Sequence, residues 1–145
     1  DSSTSRGLGD VYKRQVLPLL ETDIMDIIEA VWEEKLDTLD IKWSDKSCAC
    51  VVMASGGYPE KYETGKVISG LDENGQCEGA FVYHAGTKLE DGKFLTAGGR
   101  VLGITAYGDT LKEALDTAYK AVDTISFEKA HYRHDIGKKA LSALK

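Results

Sequence analysis

The sequence predicts an α+β fold in which helices flank a small antiparallel barrel or sandwich, hybrid-motif-like in its short strands. Short runs with β-branched and aromatic residues, separated by glycine-containing turns, fill the middle of the chain. Apolar residues at helical spacing lie before and after these runs. At 145 residues, the chain has the length of one compact domain with room for a short piece of a neighbour.

Three helices are predicted around the strands. The first covers residues 23–36, where apolar side chains recur on one face behind Asp23. The second begins at Thr110, because Glu113 lies three residues later, which is the spacing of a capping box. A short third helix covers residues 138–144.

Five strand segments are predicted between the first and second helices. They are Cys48–Ala54, Lys66–Ser69, Ala80–Ala85, Lys93–Thr96 and Arg100–Ala106. Glycine-containing turns separate the segments and predict antiparallel hairpins. Strands this short favour a barrel or sandwich over a parallel sheet.

The charge and hydropathy of the chain argue against two classes of partner. The net charge of −6 argues against nucleic-acid binding, which needs clustered Lys and Arg. No apolar run approaches the roughly 20 residues that span a bilayer, and the first residues lack the hydrophobic segment of a secretory signal. We therefore expect a cytoplasmic protein with neither a nucleic-acid nor a membrane partner.

The cysteines and histidines predict no metal site and no catalytic residue. Cys48, Cys50 and Cys77 are odd in number and lack CxxC spacing, so we expect reduced thiols buried in strands. Cys48 and Cys50 would share one face of a strand, which leaves a soft-metal site open as an alternative. The three histidines show no nucleophile or metal-ligand pattern.

An anion site is predicted where Gly98 and Gly99 precede Arg100. Two glycines let backbone N–H groups approach an anion, and the arginine can bind phosphate or carboxylate through two parallel hydrogen bonds. If the neighbouring strands pair as a hairpin, Lys88 adds a second positive charge. On spacing alone, the alternative is a β-bulge with Arg100 on a solvated edge.

Arg133 and Asp135 are further candidates near the end of the chain. They can form an ion pair that fixes their loop, or Arg133 can contact substrate. The ion pair is the expected role, because charge pairs of this kind mostly position the chain.

Five short motifs follow one another along the chain. They are Val52–Pro59, Gly65–Leu71, His84–Lys88, Gly98–Gly103 and Tyr132–Gly137. In order and spacing they resemble the last third of the phosphoribosylamine-glycine ligase family. Five motifs in a fixed order are much more specific than one glycine-rich turn. The chain is therefore similar to the carboxy-terminal part of an ATP-grasp ligase.

The resemblance implies an ATP-dependent ligase of purine biosynthesis. In such an enzyme ATP phosphorylates glycine, and the amine of 5-phosphoribosylamine attacks the acyl phosphate to give glycinamide ribonucleotide. The complete enzyme would use ATP and magnesium, with phosphoribosylamine, glycine and ATP as its small-molecule partners. By analogy with related enzymes, Gly98, Gly99 and Arg100 would hold the ribonucleotide phosphate, with Lys88 assisting.

The resemblance also divides the chain. Residues 1–15 look like a non-native, adaptor-like segment that we expect to be disordered. Residues 16–40 resemble the helical tail of an ATP-grasp domain, and residues 41–145 resemble the carboxy-terminal ligase domain. Where the family carries magnesium ligands, this chain has Asp10–Gln15. We therefore expect the ligands of ATP and magnesium to be absent from the chain, and the chain alone to be inactive.

A non-catalytic small-barrel module for binding or carrying a group is the alternative class. Small barrels host many functions, so the fold does not decide the activity. A carrier needs an exposed lysine in a hairpin turn, commonly beside methionine. Neither Lys66 nor Lys88 has such a neighbour, which favours the ligase.

Overall fold

The computed structural model describes residues 14–143. The predicted disorder of residues 1–15 falls almost wholly outside this range, as does the last residue of the predicted third helix. The main helices are α1 (Ile24–Trp32), α2 (Leu111–Thr124) and α3 (Lys138–Ala143), and the strands are β1 (Ser47–Ala54), β2 (Phe81–His84), β3 (Thr87–Glu90), β4 (Lys93–Thr96) and β5 (Arg100–Gly108). Residues 14–16 are also helical, and short 3-10 helices cover Leu17–Leu19 and Leu36–Thr38. No helix in the described range is long and apolar enough to cross a membrane.

The chain divides into two compact units, with the boundary between Lys46 and Ser47. In the first unit, the side chain of Asp23 caps α1 by accepting a hydrogen bond of 2.8 Å from a backbone N–H of the first turn. The helix ends at Trp32, before the predicted residue 36, because Glu34 takes a positive φ of 57°. The helix type is therefore confirmed, and its predicted end is wrong.

A three-stranded antiparallel sheet in the order β1-β5-β2 forms the frame of the second unit. Helix α2 packs on β1 and β5. The core between them includes Val51, Met53, Leu102, Ile104 and Val122, each at most 1% exposed. Because strand side chains alternate between faces, every second residue of the central part of β1 faces α2.

The N-terminus of α2 carries the predicted capping box. The hydroxyl of Thr110 accepts a hydrogen bond of 3.2 Å from the backbone N–H of Glu113. The carboxylate of Glu113 reaches back to the backbone N–H of Asp109 at 3.0 Å. Two backbone donors at the start of the helix are thereby satisfied.

The segment Lys66–Ser69 was predicted as a strand and is not one. The N–H of Ile68 donates to the carbonyl of Phe94, whereas the N–H of Ser69 donates to that of Ser126, both at 2.8 Å. Since the two hydrogen bonds go to different parts of the chain, the segment makes isolated bridges instead of a ladder.

The hairpin prediction holds for one pair of strands. β3 and β4 pair around the turn at Asp91-Gly92. β3 is not among the five strand segments predicted from the sequence. β5 instead pairs with both β1 and β2, which lie far away in sequence. Those pairings are antiparallel as predicted, although they are not hairpins.

Candidate anion-binding site

A β-bulge lies beside Arg100 at the start of β5. Met53 pairs with Leu102, while Ala54 pairs with Arg100, so Val101 is an extra residue in the ladder. Bulges bend a strand and turn side chains out of the regular alternation. Val101 is fully buried, and Arg100 is exposed.

Gly98 and Gly99 lie where backbone segments approach closely. A Cβ added to Gly99 would lie 2.1 Å from Cδ2 of Tyr58, and one added to Gly98 would lie 3.2 Å from Cα of Gly86. Ser55 holds this loop: its N–H donates to the Gly99 carbonyl at 2.8 Å, and its hydroxyl donates to the Gly98 carbonyl at 2.9 Å. Both glycines therefore have a packing role, and Gly99 is buried.

A cavity of about 330 Å³ opens beside this loop. Arg100 and Arg133 both line it, which brings two arginines from distant parts of the sequence to one concave surface. The other lining residues are apolar or aromatic in character: Val52, Ala54, Tyr58, Pro59, His131 and Tyr132. Arginines beside rings suit an anion attached to a larger body.

Backbone and side-chain hydrogen bonds hold the loop before α3, which carries Arg133, against β1 and α2. The backbone of His131 exchanges hydrogen bonds of 2.9 and 3.0 Å with the backbone of Ala54 at the end of β1. From α2, the hydroxyl of Tyr119 donates to the carbonyl of Arg133 at 2.7 Å and accepts from the N–H of Ile136 at 3.2 Å. These contacts fix the backbone on both sides of Arg133.

Arg133 and Asp135 form the ion pair expected from the sequence. Nε donates to one carboxylate oxygen and Nη2 to the other, each at 2.9 Å. These hydrogen bonds lower the pKa of the Asp135 carboxyl and raise that of Arg133. Both side chains are more than half exposed, so the pair contributes little to stability.

Lys88 lies on the β3–β4 hairpin. It pairs in register with Leu95, and its ammonium contacts the carboxylate of Glu90. Gly86, two residues earlier, lies so close to Arg100 that an added Cβ would be 2.5 Å from the Arg100 carbonyl oxygen. The hairpin therefore starts beside Arg100, while Lys88 is not among the residues that line the cavity.

His84 has a structural role in the hairpin region. Its Nδ1 lies 2.9 Å from the hydroxyl of Thr87, and its Nε2 lies 2.9 Å from the carbonyl oxygen of Gly75. Its ring also lies 5.0 Å from the ring of Phe94. Since both ring nitrogens contact neighbouring oxygen atoms, a structural role accounts for the position of His84, and we assign it no catalytic role.

Within residues 14–143, no group of three or more His, Cys, Asp or Glu side chains is placed to hold a metal ion. Cys48, Cys50 and Cys77 form no disulfide bond within the described residues, and of the three only Cys50 is buried. Burial, and then the neighbouring Cys50, raises the pKa of Cys48 to about 11. Cys48 is therefore protonated at neutral pH, which is the unreactive form.

A second, larger cavity of about 600 Å³ lies between α2 and α3. Leu115, Tyr119, Ile136 and Leu141 are among its lining residues. Its Lys112 already pairs with Asp116 on the same helix. Its lining also carries the carboxylates of Asp116 and Asp135, whereas the lining of the Arg100 cavity has two arginines and no carboxylate. The Arg100 cavity is therefore the better suited to an anion.

Sequence alone does not place Tyr58 and His131 with Arg100. Tyr58 lies 42 residues before Arg100 and His131 lies 31 residues after it, so no local spacing connects them. The available signal was indirect, because Tyr58 lies inside one of the five motifs and His131 adjoins another.

Comparisons with known proteins agree on one family. The family model described as phosphoribosylglycinamide synthetase, C domain, matches residues 48–139. Phosphoribosylamine-glycine ligase of Caldanaerobacter subterraneus subsp. tengcongensis is 52% identical over 128 residues, which are 88% of this chain and 30% of that protein. A bifunctional purine biosynthetic protein of Dictyostelium discoideum is 46% identical over 138 residues, which are 94% of this chain and 17% of that protein.

A solved structure is also similar. The crystal structure of phosphoribosylamine-glycine ligase from Thermotoga maritima matches with a TM-score of 0.60 and 32% identity, over 75% of this chain and 27% of that chain. The chain thus spans less than a third of the length of the Caldanaerobacter and Thermotoga proteins. Because the family model covers most of the chain and the relatives match nearly all of it, the chain belongs to the phosphoribosylglycinamide synthetase family and carries its C domain.

Proposed function

We propose that this chain is the carboxy-terminal part of a ligase that joins glycine to 5-phosphoribosylamine with ATP, giving glycinamide ribonucleotide in purine biosynthesis. The names and identities of the relatives support this proposal. Since the chain matches about 30% of the Caldanaerobacter protein, the complete reaction is proposed for a longer polypeptide. Its setting is proposed to be the cytoplasm, without nucleic-acid or membrane partners.

ATP and magnesium are proposed as requirements of the complete ligase. The described residues do not fit a magnesium site, because residues 14–143 bring together no suitable group of carboxylate, histidine or cysteine ligands. Phosphoryl transfer depends on metal ions and on positioning of the phosphates. We therefore propose that this chain contributes substrate binding and is inactive alone.

The substrate-phosphate site is proposed at Gly98, Gly99 and Arg100, with Lys88 assisting. The observation that carries it is the position of Arg100, which lines a cavity and directly follows two consecutive glycines. A guanidinium group can bind a phosphate through two parallel hydrogen bonds, and backbone N–H groups can add to it. Lys88 would act from the hairpin, which begins beside Arg100.

Two finer features of the fold belong to the same proposal. We propose that the sheet and hairpin of residues 41–145 are parts of a hybrid-motif-like barrel. We also propose that residues 16–40 are the helical end of an ATP-grasp domain. The amphipathic helix α1 and the antiparallel pairing of all five strands support these assignments.

The carrier alternative has less support. Lys66, one of its two candidate lysines, places its ammonium 3.0 Å from a carboxylate oxygen of Glu63 and 2.9 Å from one of Glu128. A lysine held between two carboxylates is a poor candidate for modification, because its charged form is favoured.

The decisive experiment uses a full-length ligase that contains these residues. Arg100→Ala should lower kcat/KM for phosphoribosylamine by about 10- to 100-fold, the loss expected for a charged hydrogen bond. The KM for ATP should stay the same. Lys120→Ala, on the exposed side of α2, removes an equal charge outside the cavity and serves as the control. Unchanged kinetics toward the amine in Arg100→Ala would refute the site.

A further inference from the structure

We infer that Arg133 is a second ligand-contacting residue of the Arg100 cavity, and that the cavity takes a sugar phosphate. The phosphate would lie between the two arginines and the sugar against the aromatic wall. This inference rests on the proposed phosphate role of Arg100 and deepens it. It assigns substrate contact to a residue for which the sequence favours a loop-fixing ion pair and leaves substrate contact as the alternative.

The first support is that the fold positions Arg133 at the cavity through independent contacts. The backbone bridge between His131 and Ala54 ties the loop to the end of β1. The hydroxyl of Tyr119 holds the Arg133 carbonyl from α2. These contacts hold the backbone of Arg133 in one conformation, and a binding residue benefits from such preorganisation.

The second support is the geometry of the ion pair. Nε and Nη2 of the Arg133 guanidinium donate to the two carboxylate oxygens of Asp135, so the N–H groups of Nη1 take no part in this pair. An exposed pair of this kind contributes little stability. It does restrict the rotation of a long side chain. Asp135 is therefore a positioning residue that aims the guanidinium, and Arg133 keeps its positive charge for an anion.

The third support is the pair of tyrosine rings, Tyr58 and Tyr132, that line the same cavity as the arginines. Tyr58 is fixed by its contact with Gly99, and the ring of Tyr132 lies 4.6 Å from the ring of His134. The hydroxyl of Tyr132 donates to Asp123 at 3.0 Å, which holds the ring in place. Rings that are already ordered can pack against the apolar face of a sugar at low entropic cost.

The test measures binding of ribose 5-phosphate to the full 145-residue chain by isothermal titration calorimetry, with ribose and inorganic phosphate as separate probes. We expect ribose 5-phosphate to bind more tightly than either probe, and more weakly at high salt. Arg133→Gln should weaken its binding about tenfold or more. Arg133→Lys, which keeps the charge without the planar fork, should weaken binding less. Lys120→Gln is the control for net charge and should have no effect.

Asp135→Asn separates ligand contact from loop fixing. If Arg133 contacts the phosphate and Asp135 aims it, Asp135→Asn keeps one acceptor oxygen for the guanidinium and should weaken binding less than Arg133→Gln does. If the ion pair only fixes the loop, both substitutions change thermal unfolding alike and neither changes affinity selectively. Thermal unfolding of every variant confirms that it is folded.

The outcomes also separate this inference from the proposed function. Loss of binding in Arg100→Gln with no change in Arg133→Gln and Arg133→Lys overturns the role of Arg133 and leaves the phosphate site at Arg100 standing. Unchanged binding in Arg100→Gln overturns the phosphate site and the inference with it. Absence of ribose 5-phosphate binding at millimolar concentration does the same.

Discussion

The ring of Tyr58 lies directly against the backbone of Gly99, so closely that a Cβ at residue 99 would be 2.1 Å from Cδ2 and 2.6 Å from Cε2. Gly99→Ala should therefore push the ring away and destabilise the fold by about 1–3 kcal/mol, the range for overpacking. Urea unfolding measures this loss. The displaced ring should also alter the cavity, which Tyr58 lines.

Two variants test whether Tyr58 causes that loss. In Gly99→Ala/Tyr58→Ala, the clash is absent, so the penalty of the alanine at residue 99 should largely disappear in a double-mutant cycle. Gly98→Ala is the matched control, because its Cβ would lie 3.2 Å from the nearest atom, and it should cost less. An equal penalty with and without the Tyr58 ring would contradict the packing explanation.

The hydroxyl of Tyr119 makes two hydrogen bonds to the loop that carries Arg133. Tyr119→Phe leaves the carbonyl of Arg133 and the N–H of Ile136 without their partner, and should cost about 1–2 kcal/mol. Hydrogen exchange at the Ile136 amide should become faster. Tyr132→Phe removes a single, exposed hydrogen bond to Asp123 and should cost less. Equal amide exchange in wild type and Tyr119→Phe would show that the loop is held by other contacts.

Local signals were sufficient for α2 and for the approximate bounds of most strands. The capping box needs only Thr110 and Glu113, and helical periodicity continues within the same segment. β4 has its predicted bounds, and β1, β2 and β5 differ from prediction by one or two residues at their ends. Such signals depend on a few consecutive residues and need no tertiary information.

Pairing and burial depend on tertiary contacts and could not be predicted in the same way. The chain pattern near Lys66–Ser69 is that of a strand, yet its hydrogen bonds go to two separate segments. The apolar stripe of α1 has helical spacing, but none of its residues is buried, and Trp32 is 88% exposed. A hydrophobic pattern identifies the face of an element without identifying what covers it.

The same distinction applies to the candidate site. Gly98, Gly99 and Arg100 are consecutive, so the sequence offers an anion site there as a hypothesis, although their spacing alone leaves a β-bulge as the alternative. Tyr58 and Arg133 reach the cavity through the ends of other segments. Their places in the cavity lining depend on tertiary contacts, such as the backbone bridge between His131 and Ala54 at the end of β1.

The cap of α2 offers a smaller, well-defined prediction. Thr110→Ala removes the acceptor for the N–H of Glu113 and should lower the free energy of unfolding by about 1 kcal/mol. Thr110→Ser keeps a hydroxyl at the same position and should retain most of the stability. Urea unfolding of the three proteins decides the matter, and equal midpoints for Ala and Ser would show that the cap contributes nothing.

The thiol of Cys48 predicts a loss of stability at alkaline pH. Its pKa in the folded chain is raised to about 11 from an ordinary value of 9.0, mainly by burial. The unfolded chain therefore releases this proton first, and stability falls as pH rises from about 9 toward 11. Urea unfolding between about pH 8 and pH 10 should show a smaller loss of stability in Cys48→Ala than in wild type, because the variant lacks this thiol.

A second measurement follows the reactivity of the same thiol. Iodoacetamide should modify Cys48 more slowly in the folded chain than in urea, as measured by peptide mass spectrometry. Equal pH dependence in the two proteins, together with equal alkylation rates, would show that the folded environment leaves this thiol as acidic as it is in the unfolded chain.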